Sequence, residues 1–425
     1  MYEIKKLKDC STIIAGQSPE SKYYNTDGVG MPFFQGKADF GELYPTVRIY
    51  CSQPTKIAEK DDILLSVRAP VGPTNLSPGQ VCIGRGLAAI RPSSDVNLRY
   101  LLYYFRFFEA QLSEKGTGTT FKAITQATIK NLDVPVPSLP EQERIVVRIE
   151  ELFSKLDKAV ETLRTTKQQL VVYRQAVLKE AFEGKYTENW RGKNPSASPQ
   201  HDFEIVRVNH PVYKDKSSDE NDMVLNLPKS WLKVRFGDIF DVQVGATPSR
   251  RVPAYWSGDI HWVSSGEVRF NTIFQTGEQI TEEGLKHSST NIQPIGTVML
   301  AMIGEGKTRG QAAILAVPAA HNQNTAAILV PKTPCNSKYV YYFLQMNYEN
   351  TRRVGSGNNQ KALNKERVRA LRIPFTSFAE QKEIVEKIES RLSVCDSIEQ
   401  TVDAALQQAD ALRQSILKEA FERRL

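Results

Sequence analysis

Residues 174–183 read "RQAVLKEAFE" and residues 413–422 read "RQSILKEAFE", with eight of ten positions identical at an offset of 239. The match continues outward. "EQERIVVRIE" (141–150) answers "EQKEIVEKIE" (380–389), "VPVPSLPEQ" from Val134 answers "IPFTSFAEQ" from Ile373, and "GTGTTFKAITQATIKNL" from Gly116 answers "GSGNNQKALNKERVRAL" from Gly355, all at the same offset. Tyr100 aligns with Tyr339. Further back, "RGLAAIRP" from Arg85 answers "QNTAAILVP" from Gln323 at offset 238, and "GQSP" (16–19) answers "GATP" (245–248) at offset 229. The second copy thus carries about ten extra residues between its first turn and its middle. A period this long signals a duplicated domain with pseudo-two-fold symmetry rather than a solenoid.

Each copy ends in a helix. Apolar or small residues recur from Ile145 through Ile149, Leu152, Leu156, Ala159, Leu163, Thr166, Leu170, Tyr173 and Val177. The second copy offers Ile384, Ile388, Arg391, Cys395, Ile398, Val402, Ala405, Ala409, Leu412 and Ile416. This 4,3 spacing is a coiled-coil seam, and about 43 residues would span ~64 Å. So narrow a stripe needs a partner. Equal lengths in one chain favour an antiparallel intramolecular pair, homodimerisation through each helix being the other reading. The strand-like runs "DILLSV" (61–66), "GLAAIRP" (86–92), "TVMLAMI" (297–303) and "TAAILVP" (325–331), with one helix each at 98–115 and 337–353, predict mixed α/β (α+β) modules. The expected organisation is a first module (1–139), a first long helix (140–184), a linker (185–229), a second module (230–378) and a second long helix (379–425).

The 425 residues carry a net charge of +7. Residues 141–183 are neutral and 380–425 net −3, so the first module carries +3 and residues 184–379 carry +7. A positive potential over two globular blocks suits a long anionic ligand, although ordinary solubilising charge reads the same way. The N-terminus lacks a signal-peptide layout, no run is apolar enough to span a membrane, and five scattered cysteines suit reduced thiols in a cytoplasm.

Catalytic and metal motifs fail on inspection. "AMIGEGKTRG" (301–310) has Ala301 where a phosphate loop needs Gly. "DKSSDEND" (215–222) has Glu220 in place of the turn glycine of a calcium loop. No metal-ligand spacing or paired base occurs.

The loops offer nucleic-acid chemistry instead. "GTGTTFK" and "GSGNNQK" stand at equivalent places. Glycine admits close backbone approach to phosphate, and hydroxyl, amide and ammonium groups supply donors. Candidate contacts are Lys22, Tyr23, Lys37, Arg68, Arg85, Thr119 and Lys122 in the first module. In the second they are Arg250, Arg251, Lys307, Arg309, Asn324, Asn358, Asn359 and Lys361. The helices and strands match between copies while these tips differ, as two readers of different sequences would.

The paired "PEQERIVVRIEELFSKLD" and "AEQKEIVEKIESRLSVCD", the "LKEAFEGKYTENWR" segment, and the "GEGKTRG…NQN" and "GTGTTFK" loops resemble the specificity subunit of type I restriction–modification enzymes. The chain opens directly in the first module. The resemblance implies two target-recognition domains, each reading half of a bipartite double-stranded DNA site in the major groove, with the long helices as an antiparallel spacer between half-sites about one turn (~34–36 Å) apart. It implies a chain that is itself non-catalytic and binds no cofactor. The partners would be two methyltransferase subunits and motor/nuclease subunits, holding S-adenosylmethionine, ATP and Mg²⁺. The rival readings are an enzyme with an unseen site and a two-fold scaffold that never reads DNA.

Overall fold

The computed structural model describes residues 2–116, 123–207, 225–304, 306–353 and 362–422. The chain divides into two compact units, Met1–Thr166 with Thr401–Leu425, and Lys167–Gln400.

In the first unit, Glu3–Lys6 pairs antiparallel with Asp133–Val136, closing the module at its base. An antiparallel sheet follows in the order Ser11–Ala15, Leu87–Pro92, Ile63–Ser66, Thr74–Leu76, and a second sheet joins five short strands between Tyr24 and Ile83. The helix Leu98–Glu114 covers the core, its Leu101, Leu102 and Phe105 buried with Ile63, Leu65, Ala88 and Ile90. Burying a Leu or Phe side chain contributes about 1.5–3 kcal/mol. Asn97 caps this helix by accepting from the Arg99 and Tyr100 N–H groups.

The second unit repeats the plan. Leu232–Arg235 pairs with Arg372–Phe375, and a sheet runs Val242–Val244, Thr325–Ile328, Val298–Ala301, Ala312–Leu315, Asn271–Ile273. A separate three-stranded sheet centres on Trp256–Val263. The helix Ser337–Met346 is capped by Asn336 as its counterpart is by Asn97. The strands and helices at 61–66, 86–92, 297–303, 325–331, 98–115 and 337–353 therefore form largely where the apolar runs place them.

The long helices are Leu139–Phe182 and Phe378–Phe421, each 44 residues. Their start is a repeated device. The buried Gln142 accepts from the Asn97 N–H (2.7 Å) and donates to Pro137 O (2.8 Å), while Gln381 accepts from the Asn336 N–H (3.1 Å) and donates to Thr376 O (3.0 Å). The glutamine of each "EQ" ties a module helix to a long helix. Within each unit the two long helices run antiparallel. In the first unit Arg413 pairs with Asp157 and lies over the Phe153 ring. In the second, the equivalent Arg174 pairs with Asp396 (2.7 Å) and Glu399 (2.9 Å).

Two expectations change in the structure. The seam is not a uniform stripe: Ala159, Tyr173, Ile398 and Leu412 are exposed, whereas Val146, Phe153, Leu178 and Leu417, outside the heptad positions, are buried. Near each module the helix packs on the module as well as on its partner helix, so the buried face widens and turns. The segment read as the start of a linker is structured. Lys185–Thr187, Glu188–Lys193 and Pro199–Val206 are helical turns that pack on the second module through Tyr186, Phe203 and Val206.

Their anchor is the buried Glu380. It accepts from Arg191 Nη1 (2.7 Å), Thr187 Oγ1 (2.7 Å), Trp231 Nε1 (3.0 Å) and the Thr376 hydroxyl. Gly184 adopts φ +69°, where an added Cβ would meet Pro228 and Arg191; only glycine turns the chain there without strain.

Candidate nucleic-acid interface

The duplicated copies build the same backbone ladder under loops of different sequence. In the first module the turn 84–87 closes with the Leu87 N–H donating to Gly84 O (2.9 Å). The Val67 N–H donates to Gly86 O (2.9 Å) and the Ile124 N–H to Val67 O (3.0 Å). In the second, the Thr325 N–H donates to Asn322 O (3.3 Å), the Met302 N–H to Asn324 O (2.9 Å) and the Leu363 N–H to Met302 O (2.9 Å). These bonds gather three stretches in each module: the turn before a core strand, the loop after "LLSV" or "LAMI", and the residue Ile124 or Leu363 that opens the chain after the glycine-rich stretch. Edge backbone groups satisfied this way leave the side chains at the loop tips to vary.

Gly16 and Gly245 fix a fourth loop to the same place. A Cβ on Gly16 would lie 2.2 Å from Gly84 O, and one on Gly245 1.8 Å from His321 O. The next residue bonds to the facing strand in both copies, Gln17 N–H to Ile83 O (3.0 Å) and Ala246 N–H to His321 O (3.0 Å).

In the first module Lys37, Arg68 and Arg85 converge. All three are exposed and line one cleft of about 640 Å³ with Ser18, Gln35 and Ser66. None of the three side chains makes a salt bridge or side-chain hydrogen bond among the described residues, so three cations face an open cleft. Lys22 lies apart from them, held by Glu20 at 2.6 Å and set over the Tyr23 ring.

The second module distributes its candidates differently. Arg250 makes a two-point pair with Glu278, lies 3.8 Å from the Trp256 ring and 5.3 Å from Trp262. That pairing raises the arginine's pKa and lowers the Glu278 carboxyl below the usual range. Arg309 is buried and donates to Arg352 O (3.1 Å), so it organises its loop from inside. Arg251 and Lys307 are exposed; Asn324 is half-buried within the ladder. Thr119, Lys122, Asn358, Asn359 and Lys361 lie outside the described residues.

Three contributors were not among the individual candidate residues, although Gln35 and Thr247 lie in the donor-bearing stretches "FQGK" (34–37) and "TPSRR" (247–251). Ser18 and Gln35 line the first cleft, and in the second module Thr247 Oγ1 donates to Gln323 Oε1 (2.6 Å). The signal that could have found Thr247 is the shared G-x-[Ser/Thr]-Pro spacing of "GQSP" and "GATP".

Beneath that contact, His321 is fully buried. Its Nδ1 lies 2.9 Å from the Thr325 hydroxyl, and burial holds its pKa down to about 4. The five cysteines are reduced and buried. Among the described residues no group of three His, Cys, Asp or Glu side chains is placed to hold a metal ion, and no helix is long and apolar enough to cross a membrane.

Two mixed α/β modules with long helical arms and basic or amide-bearing loop tips define a DNA-recognition architecture. Residues 1–170 and 228–408 match the family model of the type I restriction modification DNA specificity domain, and the chain belongs to that family. It is similar to a putative type I restriction enzyme MjaX specificity subunit of Methanocaldococcus jannaschii, 39% identical over 41% of this chain and 40% of that protein. Longer matches are the MjaIX specificity subunit of the same organism, 23% identical over 82% of this chain and 76% of the relative, and the EcoKI specificity subunit of Escherichia coli K12, 21% identical over 91% and 79%. The fold is shared with a chain from a structure described as the complex assembly and conformational transition of the type I R-M system, at TM-score 0.71 and 17% identity, covering 100% of this chain and 98% of the other. The HsdS subunit of Thermoanaerobacter tengcongensis matches at TM-score 0.56 and 16% identity, over 100% and 97%.

Proposed function

We propose that this chain reads a bipartite double-stranded DNA sequence, one half-site per module, and directs methyltransferase and motor/nuclease subunits to it without performing chemistry itself. The observation that carries this reading is the repeated backbone ladder: both copies tie the same backbone positions together while the side chains at the loop tips differ. A scaffold that never reads sequence has no use for a duplicated frame with diversified tips. The exposed Lys37, Arg68 and Arg85 supply phosphate or base contacts in the first module, and Arg251 and Lys307 in the second. Lys122 and Lys361, each ending a glycine-rich segment, serve the phosphate backbone in the same reading. The chain binds no cofactor; S-adenosylmethionine, ATP and Mg²⁺ belong to its partners, and the complex works in the cytoplasm, where DNA is.

The test is methylation mapping after co-expression with the methyltransferase subunit. Adenine methylation at a bipartite motif with a fixed gap supports the reading. A contiguous motif overturns the division of labour between modules. A stable complex that methylates nothing restores the scaffold.

A further inference from the structure

The repeat alignment places Arg85 and Gln323 at one position of the duplicated unit, and the structure gives them one setting. Each is the second residue of a four-residue turn closed by a backbone bond, Leu87 to Gly84 in one module and Thr325 to Asn322 in the other. Both are exposed on a buried frame: the flanking Ile83 and Leu87, and His321 and Thr325, are all buried.

Each also meets the hydroxyl of the G-x-[Ser/Thr]-Pro loop. Ser18 Oγ accepts from the Arg85 N–H (3.2 Å), and Thr247 Oγ1 donates to Gln323 Oε1 (2.6 Å). The glycine of that loop cannot carry a Cβ in either copy, because the facing carbonyl stands within 2.2 Å. The turn bond and the close approach of the glycine are thus repeated in both copies, and each has the loop hydroxyl beside it, around a side chain that differs.

The two side chains that differ have distinct base chemistry. A guanidinium with no partner among the described residues presents two parallel donors, which match the O6 and N7 acceptors of guanine in the major groove. A glutamine amide matches the N6 donor and N7 acceptor of adenine. The Thr247 hydroxyl occupies one lone pair of Gln323 Oε1 and holds the amide plane, leaving the second lone pair and the Nε2 hydrogens for the base.

We propose that Arg85 and Gln323 are the same specificity-determining position in duplicate, at which the first module reads guanine and the second reads adenine, with Ser18 and Thr247 as the positioning residues. This rests on the DNA-reading function proposed above and names the bases that the two modules contact.

The experiment uses the full chain co-expressed with its methyltransferase subunit, comparing wild type, Arg85→Gln and Gln323→Arg by genome-wide adenine-methylation mapping. Selection of bound duplexes from a pool with randomised half-sites, by the purified complexes, gives the same answer if a variant binds but does not methylate. Arg85→Gln is expected to move one position of one half-site from G toward A. Gln323→Arg is expected to move one position of the other half-site from A toward G. The preference should change on the order of 10- to 100-fold. Thr247→Val should broaden the choice at the Gln323 position without changing any other.

Motifs unchanged in both variants overturn the inference, as does a loss of affinity that is uniform across sequences, the behaviour of a phosphate contact. A wild-type complex with no bipartite motif instead overturns the functional reading beneath it, so the two failures are distinct.

Discussion

The ring of Phe182, at the last position of the first long helix, lies 4.9 Å from that of Tyr339 in the second module, and Phe421, at the last position of the second long helix, lies 5.3 Å from Tyr100 in the first. Both tyrosines donate to a proline carbonyl at the module base at 2.8 Å, Tyr339 to Pro374 and Tyr100 to Pro135. The repeated "KEAFE" phrase is therefore a docking plug: each long helix starts from one module and ends against the core of the other. The arginine opening the ten-residue repeat that ends in this phrase reaches the facing helix, Arg174 to Asp396 and Arg413 to Asp157.

Phe182 is fully buried among Tyr339, Phe343 and the second module's core. Phe182→Ala should cost about 3–5 kcal/mol, the usual range for a buried aromatic truncated to alanine. Urea unfolding followed by far-UV circular dichroism measures it. A loss below ~1 kcal/mol would show that the plug is not a core element.

Glu380 is buried with Arg191, Thr187, Trp231 and Thr376 all bonded to its carboxylate. Glu380→Ala leaves a guanidinium and an indole N–H without their acceptor and should destabilise the second unit by about 3 kcal/mol or more. Among the described residues Glu141, at the same repeat position, is held by Tyr2 and Arg144 at the surface. Glu141→Ala should change stability far less, because a solvent-screened surface pair contributes little. Equal losses from the two substitutions would contradict the asymmetry.

His321 has a folded pKa of about 4 against 6.5 for the free side chain. Between those values the unfolded chain binds the proton and the folded one does not, so the stability of the second unit falls as pH drops from about 6.5 toward 4. The group's share reaches about 3 kcal/mol at the acid end. His321→Gln should remove that share: the wild-type-minus-variant difference in unfolding free energy should shrink between pH 7 and pH 4.5. A difference independent of pH would exclude this titration.

The cations of the first cleft should carry salt-dependent binding. In the assembled complex, Lys37→Ala and Arg68→Ala should each weaken DNA binding and reduce the slope of log affinity against log salt by about 1. Arg250→Ala, whose charge is already matched by Glu278, should leave that slope within error. Binding isotherms at several salt concentrations separate the cases, and an unchanged slope for both cleft variants would move the contact elsewhere.

The duplication, the two long helices and the split of charge between rod and modules were legible in the sequence because each is a pattern along the chain. A repeat is covalent order, and a heptad stripe marks a helix by local geometry, although which of its residues are buried depends on what the helix packs against. The "EQ" pair and the KEAFE phrase could be seen as repeated; that they staple a helix start and plug the opposite core could not.

Tertiary structure alone decided which polar side chains remain available. Lys37, Arg68 and Arg85 lie on separate segments and meet only when three loops are laced by backbone bonds. Arg250 looks as free as Arg251 in the sequence, yet its charge is taken by Glu278, 28 residues on, and its plane by two tryptophans. Arg309 is buried, and the polar stretch after Gly184 folds back because Arg191 finds Glu380. Charge and hydrogen-bonding capacity are written in residue types, whereas whether they are spent inside the protein or offered to a ligand depends on partners brought near by the fold.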